Sequence, residues 1–257
     1  MHKFITATVL SIALSGLFCS QASAHYPWIN SDNYSLHTGE TPHINIGWGH
    51  RYPLGRFLLQ EEMENLVLRD PSGKELPLKA VNIIESEPEE ALTTPGTYTL
   101  IGQGKADFYT KTTEGGKLQS KEGLKNVIKC WHSSMGMKSL LTVGEKSKTL
   151  DKSPAGHPLE IIPLANPASL QAGDYLPVQV LLNGKPHEGK VFATYMGFST
   201  ESEVYAYTTR LDKKGEGKIR LLQPGIWLIK VEHEEVYPDQ KICDVEWFSA
   251  TLTLEIQ

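Results

Sequence analysis

Residues 175–196 read YLPVQVLLNGKPHEGKVFATYM, and this stretch decides the fold class. Its two flanks, Tyr175–Leu182 and Gly189–Met196, are rich in β-branched and aromatic residues, which favour strands. Asn183-Gly184 follows the first flank, and an Asn-Gly pair next to such a run is a strong hairpin signal. The stretch therefore predicts two strands joined through a hairpin turn.

Strand-like runs continue on both sides of this hairpin, at intervals of about 8–12 residues. Together they make about seven strands, which is the number expected of an immunoglobulin-like β-sandwich over residues 158–257. The remaining runs are Pro158–Pro163, Tyr205–Leu211, Lys218–Leu222, Ile226–Glu232 and Trp247–Ile256.

The N-terminal half is also rich in β-formers, and one segment, Ser120–Asn126, predicts a short helix. A polar segment punctuated by Pro154 and Gly156 is typical of a linker. We therefore expect a mostly-β chain, with an N-terminal β-rich domain at 25–147, a linker at 148–157 and the sandwich at 158–257. Its N-terminal strands are predicted at Pro42–Trp48, Glu64–Arg69, Gly96–Ile101, Ala106–Thr112 and Lys138–Val143.

The first 24 residues have the pattern of a secretory signal. An uncharged apolar run, residues 4–18, follows Lys3 and is shorter than the roughly 20 residues of a membrane-spanning helix. Ala22 and Ala24 stand where a signal peptidase reads small residues. We expect cleavage after Ala24, which would give a soluble periplasmic chain that begins at His25 and has no transmembrane segment.

Composition and missing motifs exclude several function classes. The chain has 25 basic and 30 acidic residues, a net charge of −5, whereas nucleic-acid binders usually carry a basic face. Phosphate-binding glycine loops, the Gly-x-Ser-x-Gly elbow and the His-Glu-x-x-His helix are all missing from the sequence. We therefore expect no nucleic-acid partner and no enzymatic activity.

Two cysteines, Cys130 and Cys243, remain after the predicted cleavage. An even number in an oxidising compartment predicts a disulfide between them. The alternative is two buried free thiols.

His25 is the sharpest candidate for a metal ligand, because cleavage would place a free α-amine and an imidazole on one residue. Their ordinary pKa values, about 7.7–8.0 and 6.5, allow both groups to lose their protons near neutral pH. Nitrogen ligands of this kind suit Ni, Co, Cu or Zn and disfavour Ca or Mg. The alternative is a frayed terminus, but Tyr26 and Trp28 favour a docked one, since exposed aromatic rings there are unfavourable.

His50 is the second candidate, within Gly47–Pro53. In a straight strand His50 and His43 lie on opposite faces, so they share a metal only if Gly47 or Gly49 bends the strand. We favour His50 over His43, with a hydrogen-bonded structural histidine as the alternative for each. His132 could supply a third imidazole, and Asp107 is the one carboxylate of interest. We expect His157, His187 and His233, beside turns or strand ends, to be solvated.

The sequence resembles a bacterial exported family of otherwise unknown function, often labelled a periplasmic component of ABC-type cobalt or nickel transport. This resemblance implies an N-terminal β domain, a C-terminal immunoglobulin-like domain, and handling of a first-row divalent metal ion at His25 and His50. It extends over nearly the whole mature chain, through Ala24–Trp28, Gly47–Pro53, Phe108–Gly115, Ser120–Asn126, Gly156–Pro167, Leu222–Trp227 and Cys243–Glu246.

The predicted function is periplasmic binding of nickel or cobalt in support of metal uptake, with a membrane transporter as the implied partner. One alternative is a metal-free adhesion module that binds a protein or a glycan through the rings of the sandwich. A second alternative is a copper-dependent oxidase with an N-terminal histidine ligand. The rings considered for the adhesion surface are Tyr195, Tyr205, Tyr207, Trp227 and Trp247.

Overall fold

The computed structural model describes residues 25–144 and 150–257, so the predicted signal at 1–24 lies outside the described residues. The described residues form nineteen strands and two 3-10 helices, which confirms the mostly-β fold class. None of their helices has the length and apolarity needed to cross a membrane.

Up to residue 144 the elements are β1 (Tyr26–Ser31), β2 (Ser35–Leu36), β3 (Ile44–Arg51), β4 (Leu54–Phe57), a 3-10 helix (Gln60–Glu62), β5 (Met63–Arg69), β6 (Glu75–Leu76), β7 (Leu78–Ala80), β8 (Glu85–Pro88), β9 (Gly96–Thr112), β10 (Gly115–Lys117) and β11 (Val127–Val143).

The C-terminal region is a sandwich of two sheets. One sheet contains β12, β13 and β17, and β16, β15, β18 and β19 lie side by side in the other. In immunoglobulin notation β12, β13 and β17 are strands A, B and E, and they oppose β16, β15, β18 and β19, which are strands C′, C, F and G. The elements are β12 (Leu159–Pro163), a 3-10 helix (Pro167–Ser169), β13 (Tyr175–Leu182), β14 (Lys185–Pro186), β15 (Lys190–Tyr195), β16 (Tyr207–Arg210), β17 (Glu216–Arg220), β18 (Gly225–Val236) and β19 (Val245–Ile256).

The predicted hairpin turn forms, but it joins β13 to the two-residue strand β14. Asn183 (φ 50°) and Gly184 (φ 72°) both adopt the left-handed conformation that a type I′ turn requires. The chain then crosses, and β15 pairs with β16 and β18 in the opposite sheet. Beyond Pro186 the N–H of Val180 donates to the carbonyl of Gly215 at 2.8 Å instead of to β14, which accounts for the early end of β14. Apolar residues of both sheets fill the space between them, among them Val178, Ile219, Trp227 and Leu252.

The sandwich and the N-terminal region share one sheet. Strand β19 pairs antiparallel with β18 and parallel with β11, from Trp131 opposite Val245 to Ser139 opposite Thr253. The result is a ten-stranded sheet whose main path runs β16-β15-β18-β19-β11-β9-β5-β6. Backbone hydrogen bonds of β19 are therefore satisfied on both sides, which protects what would otherwise be an exposed edge.

The predicted helix at Ser120–Asn126 is wrong, since these residues form turns and bends. Gly123 (φ 75°) and Asn126 (φ 54°) are both left-handed, a conformation that a right-handed helix excludes. The N–H of Lys121 instead donates to the carbonyl of Ile242 at 3.0 Å. The segment is thus held by a tertiary contact rather than by helical hydrogen bonds.

The described part of the predicted linker, residues 150–157, has no regular secondary structure but is fastened to the sheets. Glu160 accepts hydrogen bonds from the backbone N–H groups of Ala155 (2.6 Å) and Gly156 (3.1 Å). The Glu160 carboxylate is also ion-paired with the buried ammonium group of Lys138 on β11. A buried charge of this kind needs its partner, so the pair fixes the path of the segment.

A smaller sheet, β1-β3-β8-β7 with β4 beside β3, covers one face of the large sheet. Its inward side chains Ile29, Ile44 and Ile46 pack with Leu100 and Leu141 of the large sheet in a second apolar core. This packing fixes the position of β1, and therefore the position of His25, the residue that precedes it.

Replacing Gly47 with alanine is expected to destabilise the N-terminal region by about 1–3 kcal/mol, the usual cost of overpacking. A Cβ atom at Gly47 would stand 2.2–2.6 Å from three atoms of the Trp28 indole, which is fully buried. Gly104→Ala is the matched control, because a Cβ there would meet Met135 at ordinary contact distances of 3.7–3.8 Å. Urea unfolding of both variants tests this; equal stabilities would contradict it.

Candidate metal centre

The N-terminal strand is docked along its length. Tyr26 and Trp28 are 1% and 0% exposed, and β1 pairs antiparallel with β3. The hydroxyl groups of Thr251 and Thr253 on β19 donate to the carbonyls of Pro27 (2.8 Å) and Ile29 (2.7 Å). His25 therefore stands at the end of an ordered strand, as the aromatic residues beside it predict.

The register of β1 and β3 brings His25 to His50. Tyr26 lies opposite Gly49 and Pro27 opposite Trp48, so the next position places His25 beside His50. The ring centroids of the two histidines are 3.9 Å apart. The His25 ring also stacks on Trp48, with centroids 5.6 Å apart and planes within 2°. On the β4 side of β3 the register shifts between Trp48 and Arg51, which is the local irregularity that the glycines allow.

Both imidazoles are held towards the neutral form. Burial lowers the pKa of His25, and the positive charges of His50 and Arg56 lower it further. Burial is also the main cause of the lowered pKa of His50, opposed by Glu203 and assisted by Lys230. Neutral imidazoles offer a lone pair, so at neutral pH the two rings have the state that metal binding needs.

A loop of the sandwich reaches this site through Glu203. Its backbone N–H donates to the carbonyl of His50 at 3.4 Å, and its Oε1 lies 3.9 Å from His50 Nδ1. Its Oε2 accepts from the hydroxyl of Tyr205 at 2.6 Å and from the Lys230 ammonium at 3.0 Å. The site is thus assembled from both halves of the chain.

Lys230 links the loop to the N-terminal strand. Its side chain is 1% exposed and also pairs with Glu232 at 2.9 Å. Its Nζ lies 4.1 Å from the centroid of the Tyr26 ring, a cation–π distance. Burial, followed by the charge of Glu203, raises the pKa of Tyr26, so its hydroxyl stays protonated. This arrangement gives the buried ammonium both negative charge and aromatic surface.

The other predicted ligands lie elsewhere. His43 precedes β3 and contacts Glu87, with Nδ1 3.7 Å from Oε2. His50 is seven residue steps further along an extended strand, about 23 Å at 3.3 Å per step, so the two cannot share one ion. His132 forms a hydrogen bond with Glu246 at 2.8 Å in a different cluster. Asp107 is exposed, and its carboxylate accepts the N–H of Phe108 at 2.7 Å.

The described residues hold no group of three or more His, Cys, Asp or Glu side chains that could bind a metal ion. A centre at His25 and His50 therefore needs a donor other than these side chains. The α-amine that cleavage would create on His25 is such a donor.

Cys130 and Cys243, the two cysteines predicted to pair, are joined by a disulfide. Cys130 lies on β11 and Cys243 two residues before β19, so the bond closes one end of the parallel pair. Both residues are fully buried.

Of the three further histidines predicted to be solvated, two are buried. His157 and His187 are buried, at 7% and 8% exposure, and only His233 is half-exposed. Burial lowers the pKa of His157 to about 4, which keeps its ring neutral. The rings of His187 and His233 meet edge to face, with centroids 4.8 Å apart. Their sequence positions beside turns gave no sign of this packing.

The rings proposed for an adhesion surface do not form an exposed patch. Trp227 and Trp247 are 0% and 4% exposed, and Tyr195 and Tyr207 pack partly buried against the sandwich core. Tyr205 is half-buried beside Glu203. Trp227, Tyr195 and Tyr207 pack in or against the sandwich core, whereas Trp247 packs with Tyr26 and Trp28 of β1.

A model of a protein family described as a domain of unknown function, DUF4198, matches residues 22–235. The chain belongs to this family. The DUF4198 match includes β1, β3, the Glu203 loop and Lys230, and it ends before β19. It confirms the part of the resemblance that predicts a family of unknown function. None of the curated proteins compared with this DUF4198 chain matches it in sequence.

Several solved structures resemble this DUF4198 member. The D0-D1 domain of intimin is 13% identical, over 89% of this chain and 96% of that one, with a TM-score of 0.23. A DUF4785 family protein from Legionella pneumophila is 10% identical, over 81% of this chain and 52% of that one, with a TM-score of 0.25. The fold assignment above rests on the strand order of the chain itself.

Proposed function

We propose that the chain, once cleaved before His25, binds a divalent transition metal ion, nickel or cobalt, in the periplasm. The ligands would be the α-amine and imidazole of His25 and the imidazole of His50. The proposal is carried by one observation: the two rings are 3.9 Å apart at the end of a docked strand.

The donor set supports this class of metal. An amine and two imidazoles are nitrogen ligands of intermediate softness, which suit Ni, Co, Cu and Zn and are poor ligands for Ca and Mg. Partial burial favours the neutral form of both rings, so at neutral pH the proton released on binding would come mainly from the α-amine.

The position of the site supports a carrier role rather than catalysis. His25 is exposed while the strand behind it is buried, so an ion can be received and passed on at the surface. We therefore propose that the protein delivers its ion to a membrane uptake transporter. Copper binding with turnover of a reductant would instead support the oxidase alternative.

A chain that begins at His25 is expected to bind one equivalent of Ni²⁺ or Co²⁺ in a calorimetric titration. The matched control is the same chain acetylated on the α-amine, which removes one donor and leaves every side chain in place. We expect acetylation to weaken binding by about 10-fold or more. Losing a residue that only hydrogen-bonds to a metal ligand already weakens binding by at least that factor, and acetylation would remove a ligand itself. Equal binding by both chains, or no saturable binding by either, would contradict the proposal.

Trp48 supplies an independent optical signal. Its indole stacks on the His25 ring, so a paramagnetic ion bound there should quench its fluorescence. Trp48→Phe should remove the quenched component and leave the calorimetric stoichiometry unchanged. Quenching as large in this variant as in the wild-type chain would contradict binding beside Trp48, since the more distant Trp28 could account only for a smaller part.

A further inference from the structure

We propose that the cargo of the His25 site is a chelate of the metal ion with a small di- or tricarboxylate, and that Arg51 binds a carboxylate group of this chelator. The inference deepens the proposed function and rests on it, because it concerns an ion held by His25 and His50. It adds the chemical class of the substrate, which is an anionic metal chelate rather than the hydrated ion.

The chain supplies few ligands for the ion. The donors named above are at most three: the α-amine and imidazole of His25 and the imidazole of His50. Within residues 25–144 and 150–257, no cluster of three or more His, Cys, Asp or Glu side chains adds to them. Nickel bound by nitrogen and oxygen donors takes about four to six of them, in square-planar or tetragonal geometry. The remaining positions are therefore open to a ligand that comes with the ion.

The charge at the site favours an anion as this ligand. An amine and two neutral imidazoles do not compensate the double positive charge of the ion. The neighbouring carboxylates already have cationic partners, since Lys230 pairs with Glu203 at 3.0 Å and with Glu232 at 2.9 Å. Glu62 likewise pairs with Arg56 at 2.6 Å. A carboxylate that arrives with the ion would supply the missing negative charge.

Arg51 is a cation that these ion pairs leave over. Burial lowers the pKa of His25, and so does the positive charge of Arg56. Burial likewise lowers the pKa of His50, and the charges of Lys230 and Arg51 add to this effect. All three cations therefore act on the two histidines. Of the three, Arg51 alone has no carboxylate partner among the described residues, and its side chain is exposed.

The position and chemistry of Arg51 suit a carboxylate. Arg51 follows His50 directly, and the pairing of β3 with β4 shifts in register between Trp48 and Arg51. Such a shift interrupts the regular alternation of side chains between the two faces of a strand. A guanidinium group binds a carboxylate through two parallel hydrogen bonds, which makes an exposed, unpaired one a receptor for the outer carboxylate of a chelated ion.

Equilibrium dialysis of the chain that begins at His25 tests this, with radiolabelled citrate and malonate as probes. Each should be retained stoichiometrically when Ni²⁺ is present, and neither should be retained without the metal. Arg51→Gln should weaken retention of the nickel chelates by about 10-fold or more, because it removes charge-assisted hydrogen bonds. The same variant should bind Ni²⁺ alone about 2-fold more tightly in a calorimetric titration, because a repelling positive charge is removed.

Arg220→Gln is the matched control. Arg220 is also exposed and lacks a carboxylate partner among the described residues, and it lies on β17, in the sandwich sheet that does not contain Lys230. It should leave the ion and the chelates bound as in the wild-type chain. Binding of Ni²⁺ without retention of either labelled chelator, or equal weakening of ion and chelate by Arg51→Gln, would overturn the inference and leave the proposed function standing. If the wild-type chain binds neither the ion nor its chelates, both fail.

Discussion

His25→Ala, in a chain that begins at residue 25, is expected to weaken Ni²⁺ and Co²⁺ binding by about 100-fold or more. The substitution removes one of two imidazoles and opens the chelate ring that this imidazole would form with the α-amine. Loss of an outer partner of a metal ligand already costs about 10- to 100-fold, so loss of a ligand should cost at least the upper value. Calorimetric titration at constant pH measures the change.

His43→Ala is the appropriate control for this variant. His43 is exposed and contacts Glu87. It immediately precedes β3, the strand that contains His50, but it lies at the opposite end of that strand from the site. The His43→Ala variant should bind Ni²⁺ and Co²⁺ with the same affinity as the wild-type chain. If His25→Ala binds as tightly as His43→Ala, the centre is not at His25.

Removing the disulfide should lower the free energy of unfolding by about 5 kcal/mol, on the chain-entropy estimate for so long a loop. The bond joins residues 113 apart in sequence, so its loss greatly enlarges the freedom of the unfolded chain. It also ties β11 to the start of β19, the two parallel strands through which the halves of the chain share a sheet. The double variant Cys130→Ala with Cys243→Ala tests this by urea unfolding.

A second measurement separates the loss of the bond from changes in packing. Both cysteines are fully buried, so alanine also removes two sulfur atoms from the interior. The wild-type chain unfolded with and without reductant keeps those atoms and changes only the bond. A difference below about 1 kcal/mol in that comparison would contradict the estimate, because it would mean that the cross-link restricts the unfolded chain very little.

The local elements follow closely from the sequence. Alternating burial in β13 and the left-handed Asn183-Gly184 turn arise from preferences of neighbouring residues, which a pattern can show. His25 and His50 also carried local signals, namely a predicted cleavage site and flanking glycines. The predicted helix at 120–126 failed because tertiary contacts of that segment outweigh its weak helical pattern.

Glu203 carried no such signal. It stands in a polar loop far along the chain from His50, and one glutamate among many has no spacing that marks it. Only the docking of the loop against β3 brings the two together. The same holds for Lys230, whose charge is buried by partners from three separate elements.

The sequence by itself determined the strands of the sandwich, where the hairpin turns, and which terminal residue has the chemistry of a metal ligand, but it did not indicate β1, β4, β8 or the first half of β11. These properties depend on φ/ψ preferences and side-chain character within a few residues. The tertiary structure alone decided that β11 and β19 pair in parallel and that His25, His50 and Glu203 meet. Pairing between residues so far apart in sequence is stabilised by the burial of apolar surface in two cores. Each core is built from many separate segments, so the pattern of any one segment does not reveal which strands will pair.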